Sequence, residues 1–365
     1  MLLNDLVAIG KNFEGNEFYK FTKLINKFSD QLSKISFSLY ERLDSEDKKV
    51  FITWFLLRWG ELDTVTKADR DEYLNIVKQA SAEPFDNIDI SGKTYKSRNY
   101  TSQGYDVDLA HYDFFLGIHD LQLDQYTHKE VSVSKGDVII DAGAFIGDTA
   151  AVFYKKTDGD CSIHSFELLP ESIDLFKANI KKNNMENNVI INQLALYDVS
   201  GEKLSFDFES SEGANKIKEN NNSNNSIESI SLDDYVKNSK LSSVDFIKMD
   251  IEGGEIPALK GSIETIKTFK PKLAICLYHI WTDPILIPEF INSLGVNYNF
   301  YFKWVHLTRG WEAVLLASPS VKKVDSPKNT DNASTNDLED YIIQASKLYE
   351  QKYTQAHNLW IKNKS

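Results

Sequence analysis

The chain has 365 residues, 42% of them hydrophobic and 26% charged, enough for one sizeable core with a smaller addition, so two domains are the default expectation. A formal charge of -13 with no cluster of basic residues argues against a nucleic-acid polyanion as partner. The two cysteines, Cys161 and Cys276, both sit in apolar strand-like runs where a thiol behaves as a small hydrophobe; this suits a reducing compartment, and a cytoplasmic location is expected. No basic segment followed by an apolar run opens the chain, so no secretion signal is expected. The most apolar window, Val50 to Trp59, is too short to cross a bilayer and is interrupted by Arg58, so no membrane span is expected either.

In chain order, Phe18, Phe21, Leu24, Ile25, Phe28, Leu32, Ile35 and Leu39 recur at three and four, the spacing of one long amphipathic helix or of two. Asp44 and Ser45 offer caps ahead of Val50, Phe51, Trp54, Phe55 and Leu57, and Gly60 ends that run. Thr66 with Asp69 forms a capping-box pattern before Tyr73, Leu74 and Val77. Residues 1–95 therefore read as a helical N-terminal region whose aromatic stripe is core rather than a partner surface. From Pro84 to Gly104 the pattern loosens into polar residues and glycine, a boundary or a lid.

Gly136 to Thr149, Gly-Asp-Val-Ile-Ile-Asp-Ala-Gly-Ala-Phe-Ile-Gly-Asp-Thr, is the stretch around which the rest is arranged. Val138, Ile139 and Ile140 form a β-branched run without alternation, which suits a parallel strand buried on both faces. Gly143 and Gly147 can supply the unusual dihedrals of a sharp strand-to-helix turn. Cys161 to Glu167 is a second short strand ending in an acid, about 20 residues after the first glycine turn, where a carboxylate can accept both ribose hydroxyl protons. The glycine spacing is not the Gly-x-Gly-x-x-Gly of a dinucleotide site, and Asp148 at the helix start opposes a phosphate. A ribose-bearing, phosphate-free, cationic cofactor, S-adenosylmethionine, fits better than NAD.

Beyond Glu167 the pattern alternates: a helix from Pro170, strands at Val189–Asn192 and 204–208, a polar excursion over 210–226, and a short helix from Ser231. Next come a strand over Val244–Asp250, a single helix through Ile266, a strand from Leu273 to Tyr278 and a helix over Ile285–Leu294. Tyr298–Lys303 and Glu312–Ala317 read as a closing antiparallel pair. The fold class is α/β: a doubly wound, mostly parallel sheet over residues 96–320, with the helical appendage before it. A linker over 321–336 and a C-terminal helix over 337–365 follow.

With these stretches laid out, the chain resembles the FkbM family of S-adenosylmethionine-dependent methyltransferases, within the class I (Rossmann-like) methyltransferase fold. The resemblance rests on Gly136–Thr149, Phe166-Glu167, Leu194-Ala195-Leu196 and Asp245 to Glu255. Leu259-Lys260-Gly261 and Trp311 to Leu315 add to it, and it covers about residues 105 to 318. Asp-Ile-Glu-Gly-Gly-Glu at 250–255 is its most specific element. It implies methyl transfer to a hydroxyl, on a sugar of a bacterial surface polysaccharide or on a secondary metabolite. Carried over position by position, Asp141, Gly143, Ala144, Gly147 and Thr149 hold the methionine portion, Glu167 the ribose, and Leu168, Ala195 and Leu196 the adenine. The family's acid in the strand before His279 is absent, replaced by Cys276 and Leu277.

Transfer from a sulfonium needs in-line positioning of the acceptor oxygen and removal of its proton. Asp250, Glu252 and His279 fall at the relevant sheet edge, with His279 and Asp250 ranked ahead of Glu252 as base; a capped strand end for His279 and helix N-terminal acids for Glu252 and Glu255 are the structural alternatives. Asp250 and Glu252 could instead hold a divalent cation. Lys303 and His306 are the candidates for acceptor binding. The competing readings are an NAD-dependent nucleotide-sugar enzyme and a non-catalytic S-adenosylmethionine-binding module. The helical termini would serve a second copy or a biosynthetic partner.

Overall fold

A computed structural model describes residues 2–206, 217–218 and 226–320; most of the polar excursion, the 321–336 linker and the C-terminal helix lie outside the described residues. Five helices lead: α1 (Leu2–Gly10), α2 (Gly15–Phe28), α3 (Leu32–Ser38), α4 (Ser45–Gly60) and α5 (Lys67–Ala82). The apolar run from Phe18 thus resolves into two helices. Caps fall where the sequence places them: Asp44 accepts from the amides of Glu46 and Asp47, and Thr66 from that of Asp69.

The loosened stretch after Pro84 is a sheet. β1 (Asp86–Ile90), β2 (Lys93–Asn99) and β3 (Asp108–His111) pair antiparallel, so residue 95, the expected end of the helical region, lies inside β2. Ser91 and Gly92, at φ 52° and 79°, make a two-residue hairpin turn of the left-handed kind. Most of β1 and the start of β2 are solvent-facing on both sides, so no apolar alternation marks them.

The main alternation follows as β4 (Asp137–Ala142), α6 (Asp148–Lys156), β5 (Cys161–Phe166), α7 (Pro170–Lys182) and β6 (Val189–Asn192). Four short strands, β7 (Ala195–Leu196), β8 (Lys203–Phe206), β9 (Ile217–Lys218) and β10 (Ser226–Ile230), make a side sheet. Then come α8 (Leu232–Asn238), β11 (Phe246–Met249), α9 (Glu255–Lys260), α10 (Ile263–Phe269), β12 (Lys272–Cys276), α11 (Asp283–Ser293), β13 (Tyr298–Trp304) and β14 (Ala313–Pro319). The single helix expected through Ile266 is therefore two. It breaks at Gly261, where a Cβ would lie 2.0 Å from the Tyr197 carbonyl oxygen, so the chain turns there to pass the side sheet.

The seven-stranded sheet runs β13-β14-β12-β11-β4-β5-β6, with β14 antiparallel to both neighbours. Strand order reverses between β4 and β11, the place where open α/β sheets bind ligands. Register carries the ends of four strands to one edge: Ala142 pairs with Phe166 and with Met249, and Met249 with Ile275. The next residues along each strand, Gly143, Glu167, Asp250 and Cys276, therefore share that edge.

Helices α1 to α4 share one apolar core with the sheet, from Leu2 to Ala317, while Tyr73 and Ala80 of α5 pack with Ile118 in a separate cluster. Phe51 and Trp54 of α4 pack on Phe302 at 5.1 and 5.2 Å, and the Trp54 indole donates to the Gly310 carbonyl at 2.8 Å. Arg58 donates through Nε and Nη2 to the Tyr278 carbonyl at 3.0 and 2.6 Å, one residue before His279. Among the described residues no helix is long and apolar enough to cross a membrane.

Candidate active site

The turn after β4 is held from both sides. Gly143 (φ 77°) and Gly147 (φ 81°) take left-handed dihedrals, and so does Phe145 (φ 47°). A Cβ on Gly143 would fall 1.8 Å from the Asp250 carbonyl oxygen, and one on Gly147 2.0 Å from the Phe176 ring. The amides of Gly143 and Ala144 both donate to the Phe166 carbonyl, at 2.9 and 3.0 Å. The Gly143 carbonyl accepts from Lys248 Nζ at 2.5 Å.

Glu167 closes this turn. Its Oε2 accepts from the Phe145 amide at 2.8 Å, and its Oε1 from those of Leu168 and Leu169 at 2.7 and 2.8 Å. Burial pushes its carboxyl above the ordinary range, and the three amides work against that shift. Leu168 packs with Ala195 and Leu204 in a small apolar cluster beside it, and Leu196 is buried in the main core.

Beneath the turn lies a buried charge network. Asp141 is fully buried, accepts from Thr149 Oγ1 at 3.1 and 3.3 Å, and pairs with Lys248 Nζ at 3.2 Å. Burial alone would lower the Lys248 pKa, but Asp141 and Asp250 override it and hold the ammonium firmly charged. Asp148, the acid expected to face the ligand at the start of α6, is buried against Asp120. Burial, then the neighbouring Asp148, pushes the Asp120 carboxyl well above the ordinary range, and burial raises that of Asp148 too.

The turn after β11 carries the second half. Asp250 accepts from Tyr126 Oη at 2.7 Å and from Tyr278 Oη at 3.1 Å. His279 Nε2 lies 3.3 Å from Asp250 Oδ1 and 3.4 Å from Glu252 Oε2, while Nδ1 lies 3.0 Å from Glu255 Oε1. Neither ring nitrogen makes an aligned hydrogen bond. Burial opposes charge on the imidazole, but Glu255 and Asp250 outweigh it, so His279 is protonated well above its usual range. Burial would raise Asp250, yet His279, Lys248 and Tyr126 bring it well below the usual carboxylate range. Burial lifts Glu252 to about 7, helped by Asp250 and Glu255 and opposed by His279. Glu312, which accepts from Gln125 at 2.8 Å and from Tyr278 Oη at 3.2 Å, is pushed up to about 7 by burial and then by Asp250.

These values reorder the candidates for base. An imidazolium cannot accept a proton and Asp250 is too weak a base, whereas Glu252 titrates near neutrality with its side chain 38% exposed. Glu255 is the first residue of α9 and its Oε1 also accepts from the Ile251 amide at 3.0 Å, so the helix-terminal role holds alongside its contact with His279.

Lys303 and His306 make other contacts. Lys303 Nζ donates to the backbone carbonyls of Asp124 and Thr127 at 2.7 and 2.9 Å, which ties β13 to that turn. His306 packs at tilted angles against the rings of Tyr73, His119 and Trp311, and burial lowers its pKa to about 4. Sequence reasoning missed Lys248, Tyr126, Tyr278 and Glu312. Only Lys248 carried a signal, a cation inside the otherwise apolar strand Phe-Ile-Lys-Met.

Comparison with known proteins agrees with this architecture. No curated protein matches the chain. The structure of the methyltransferase FkbM from Methylobacillus flagellatus KT aligns at 17% identity with a TM-score of 0.53, covering 82% of this chain and 62% of that one, a likeness of fold. Looser alignments join it to the Aeropyrum pernix fibrillarin structure with natively bound S-adenosyl-L-methionine (10% identity, 64% of this chain and 100% of that one, TM-score 0.38). The precorrin-6y C5,15-methyltransferase of Geobacter metallireducens aligns similarly (11%, 57% and 90%, 0.35). Scores of that size add nothing to the assignment. The Methyltransferase FkbM domain matches residues 141–316, from the buried aspartate of β4 to the middle of β14. Over residues 141–316, just under half of its length, the chain thus matches the methyltransferase FkbM domain.

Proposed function

We propose that the protein transfers a methyl group from S-adenosylmethionine to a hydroxyl of a small-molecule or glycan acceptor, such as a sugar of a surface polysaccharide or a secondary metabolite. The observation that carries this reading is the convergence of the Gly143 turn, Glu167 and the Asp250, Glu252 and His279 group on one sheet edge. The donor set suits a cation. Asp141, Glu167, Asp250, Glu252 and Glu255 outnumber Lys248 and His279 there, and burial leaves Glu167 and Glu252 short of positive charge. A sulfonium relieves that excess; the pyrophosphate of NAD would add to it.

In this reading Glu167 takes the ribose hydroxyls, the residues around Gly143 the methionine portion, and Leu168 with Ala195 the adenine. Bound there, S-adenosylmethionine supplies a methyl group already activated by its sulfonium. The chain's own task is to hold the acceptor oxygen in line and take its proton. That falls to the Asp250, Glu252 and His279 cluster, with Glu252 the member that can lose and regain a proton at neutral pH. Arg58 fixes the backbone carbonyl just ahead of His279, which gives the N-terminal helices a part in placing it.

Calorimetry tests the cofactor. S-adenosylmethionine should bind with a dissociation constant on the order of micromolar, NAD should not bind, and Glu167→Ala should remove binding while a thermal melt shows the variant still folds. Equal affinity for the two, or a preference for NAD, would remove the assignment.

A further inference from the structure

The cluster after β11 has the geometry of a metal site as well as of a proton-sharing group. Asp250, Glu252 and His279 each bring a ligand-capable atom within 4.8 Å of the others. The Nε2 of His279 points between the two carboxylates at 3.3 and 3.4 Å. Charge-assisted hydrogen bonds close to about 2.7–2.9 Å, so both contacts are long for that role. Two donors bound to one small cation at about 2.1–2.2 Å, at right-angled to tetrahedral angles, sit about 3.0–3.6 Å apart. The observed separations fall in that range. The His279 side chain is only 6% exposed, yet its Nε2 has no hydrogen-bond partner. A buried nitrogen aimed between two carboxylates without an aligned hydrogen bond is placed to take a ligand.

The surroundings match as well. Glu255, fully buried, stands 3.0 Å behind Nδ1. A carboxylate there holds the ring and keeps the proton on Nδ1, leaving Nε2 free to ligate. Tyr126 and Tyr278 donate to Asp250 and fix its carboxylate plane. Glu252 is a non-glycine residue at φ 56°, a strained conformation that persists only where its surroundings enforce it. Its neighbour Gly253 (φ 96°) lets the chain pass Ile280, whose Cδ1 would lie 2.9 Å from an added Cβ. Glu252 and Asp250 keep 38% and 16% of their side chains accessible, so the open side faces incoming ligand.

We infer that Asp250, Glu252 and His279 ligate a divalent cation, with Glu255 holding the imidazole from behind, and that the ion's remaining positions receive the acceptor's hydroxyl oxygen. One imidazole and two carboxylates suit Mn²⁺ or Zn²⁺ better than a soft ion. The inference rests on the acceptor side of the reading above and deepens it. An alcohol on such an ion gives its proton to solvent water near neutral pH, so in the loaded protein Glu252 is a ligand and its part as base belongs to the ion-free form.

The test uses the full chain, stripped with a chelator and titrated with MnCl₂, followed by calorimetry and by the paramagnetic resonance of free Mn²⁺. One ion per chain should bind saturably. Binding should weaken more than about 10-fold in His279→Ala and Glu252→Gln, and about 10–100-fold in Glu255→Gln. Glu252 is accessible enough for Glu252→Gln to keep the test valid even if His279→Ala fails to fold. No saturable binding of Mn²⁺ or Zn²⁺ at millimolar concentration, or binding that none of the variants alters, overturns the inference. S-adenosylmethionine calorimetry on the stripped protein separates the two claims. Cofactor binding without ion binding removes the metal and leaves the methyltransferase reading; ion binding without cofactor binding does the reverse.

Discussion

The two turns at the reactive edge, one after β4 and one after β11, are built from the same residue types and are finished differently. After β4 the polar groups are satisfied: Asp141 has Thr149 and Lys248, Glu167 has three backbone amides, and the Gly143 and Ala144 amides share the Phe166 carbonyl. After β11 they are not. Both nitrogens of His279 and the Oε2 of Glu255 are buried without hydrogen-bond partners, and Glu252 sits at about 7, as does Glu312 beside the cluster. A saturated turn keeps its shape whatever binds, which is what holding a cofactor requires. An unsaturated one changes its charge or its partners when something arrives, which is what chemistry requires.

The largest expected effect comes where the two turns touch. Gly143→Ala puts a Cβ 1.8 Å from the Asp250 carbonyl oxygen at a left-handed dihedral, so it should cost on the order of 3 kcal/mol or more and displace both turns together. A melting curve with S-adenosylmethionine calorimetry reads both; a variant that folds and binds normally would show that the turns are independent. Next comes Glu252→Gln, for which turnover should fall by about 10²-fold or more with cofactor affinity intact. Loss of affinity instead would erase the division of labour between the turns.

The smallest effect is one of pH. Glu312 is raised from 4.5 to about 7, chiefly by burial and then by Asp250, so the folded state holds its proton more tightly than the unfolded chain. Its contribution to stability is complete below about 4.5 and is lost as pH rises through about 7. In chelator-containing buffer, Glu312→Gln should therefore melt higher than the parent at pH 8, by about 1–2 °C, and no higher at pH 4. Saturating S-adenosylmethionine should shrink the gap if a sulfonium supplies the missing positive charge. A gap that widens toward acid would reverse the assignment of Glu312 as a strained acid.

Much of this was legible because its signals are local. β-branched runs without polar alternation mark strands buried on both faces, glycines mark left-handed turns, and an acid after the second strand marks the edge. The 250–255 motif was readable as a site, yet the ranking of its bases was not. Depressed Asp250, protonated His279 and near-neutral Glu252 follow from how four carboxyls and two cations are packed. Lys303 shows the same limit from the other side. Strand period gives β13 two faces, but only the 124–127 turn folded beside it decides which ligands its ammonium finds.

By itself the amino-acid sequence determined the strands of the seven-stranded sheet, the two glycine-and-acid turns and the class of fold, since each depends on residues close together in the chain. The tertiary structure alone decided that Lys248 anchors Asp141, that Arg58 caps the strand ahead of His279, and that Glu255 stands behind its ring. Those partners come from elements far apart in sequence. Their charges acquire definite values only once burial removes the water that would otherwise screen them.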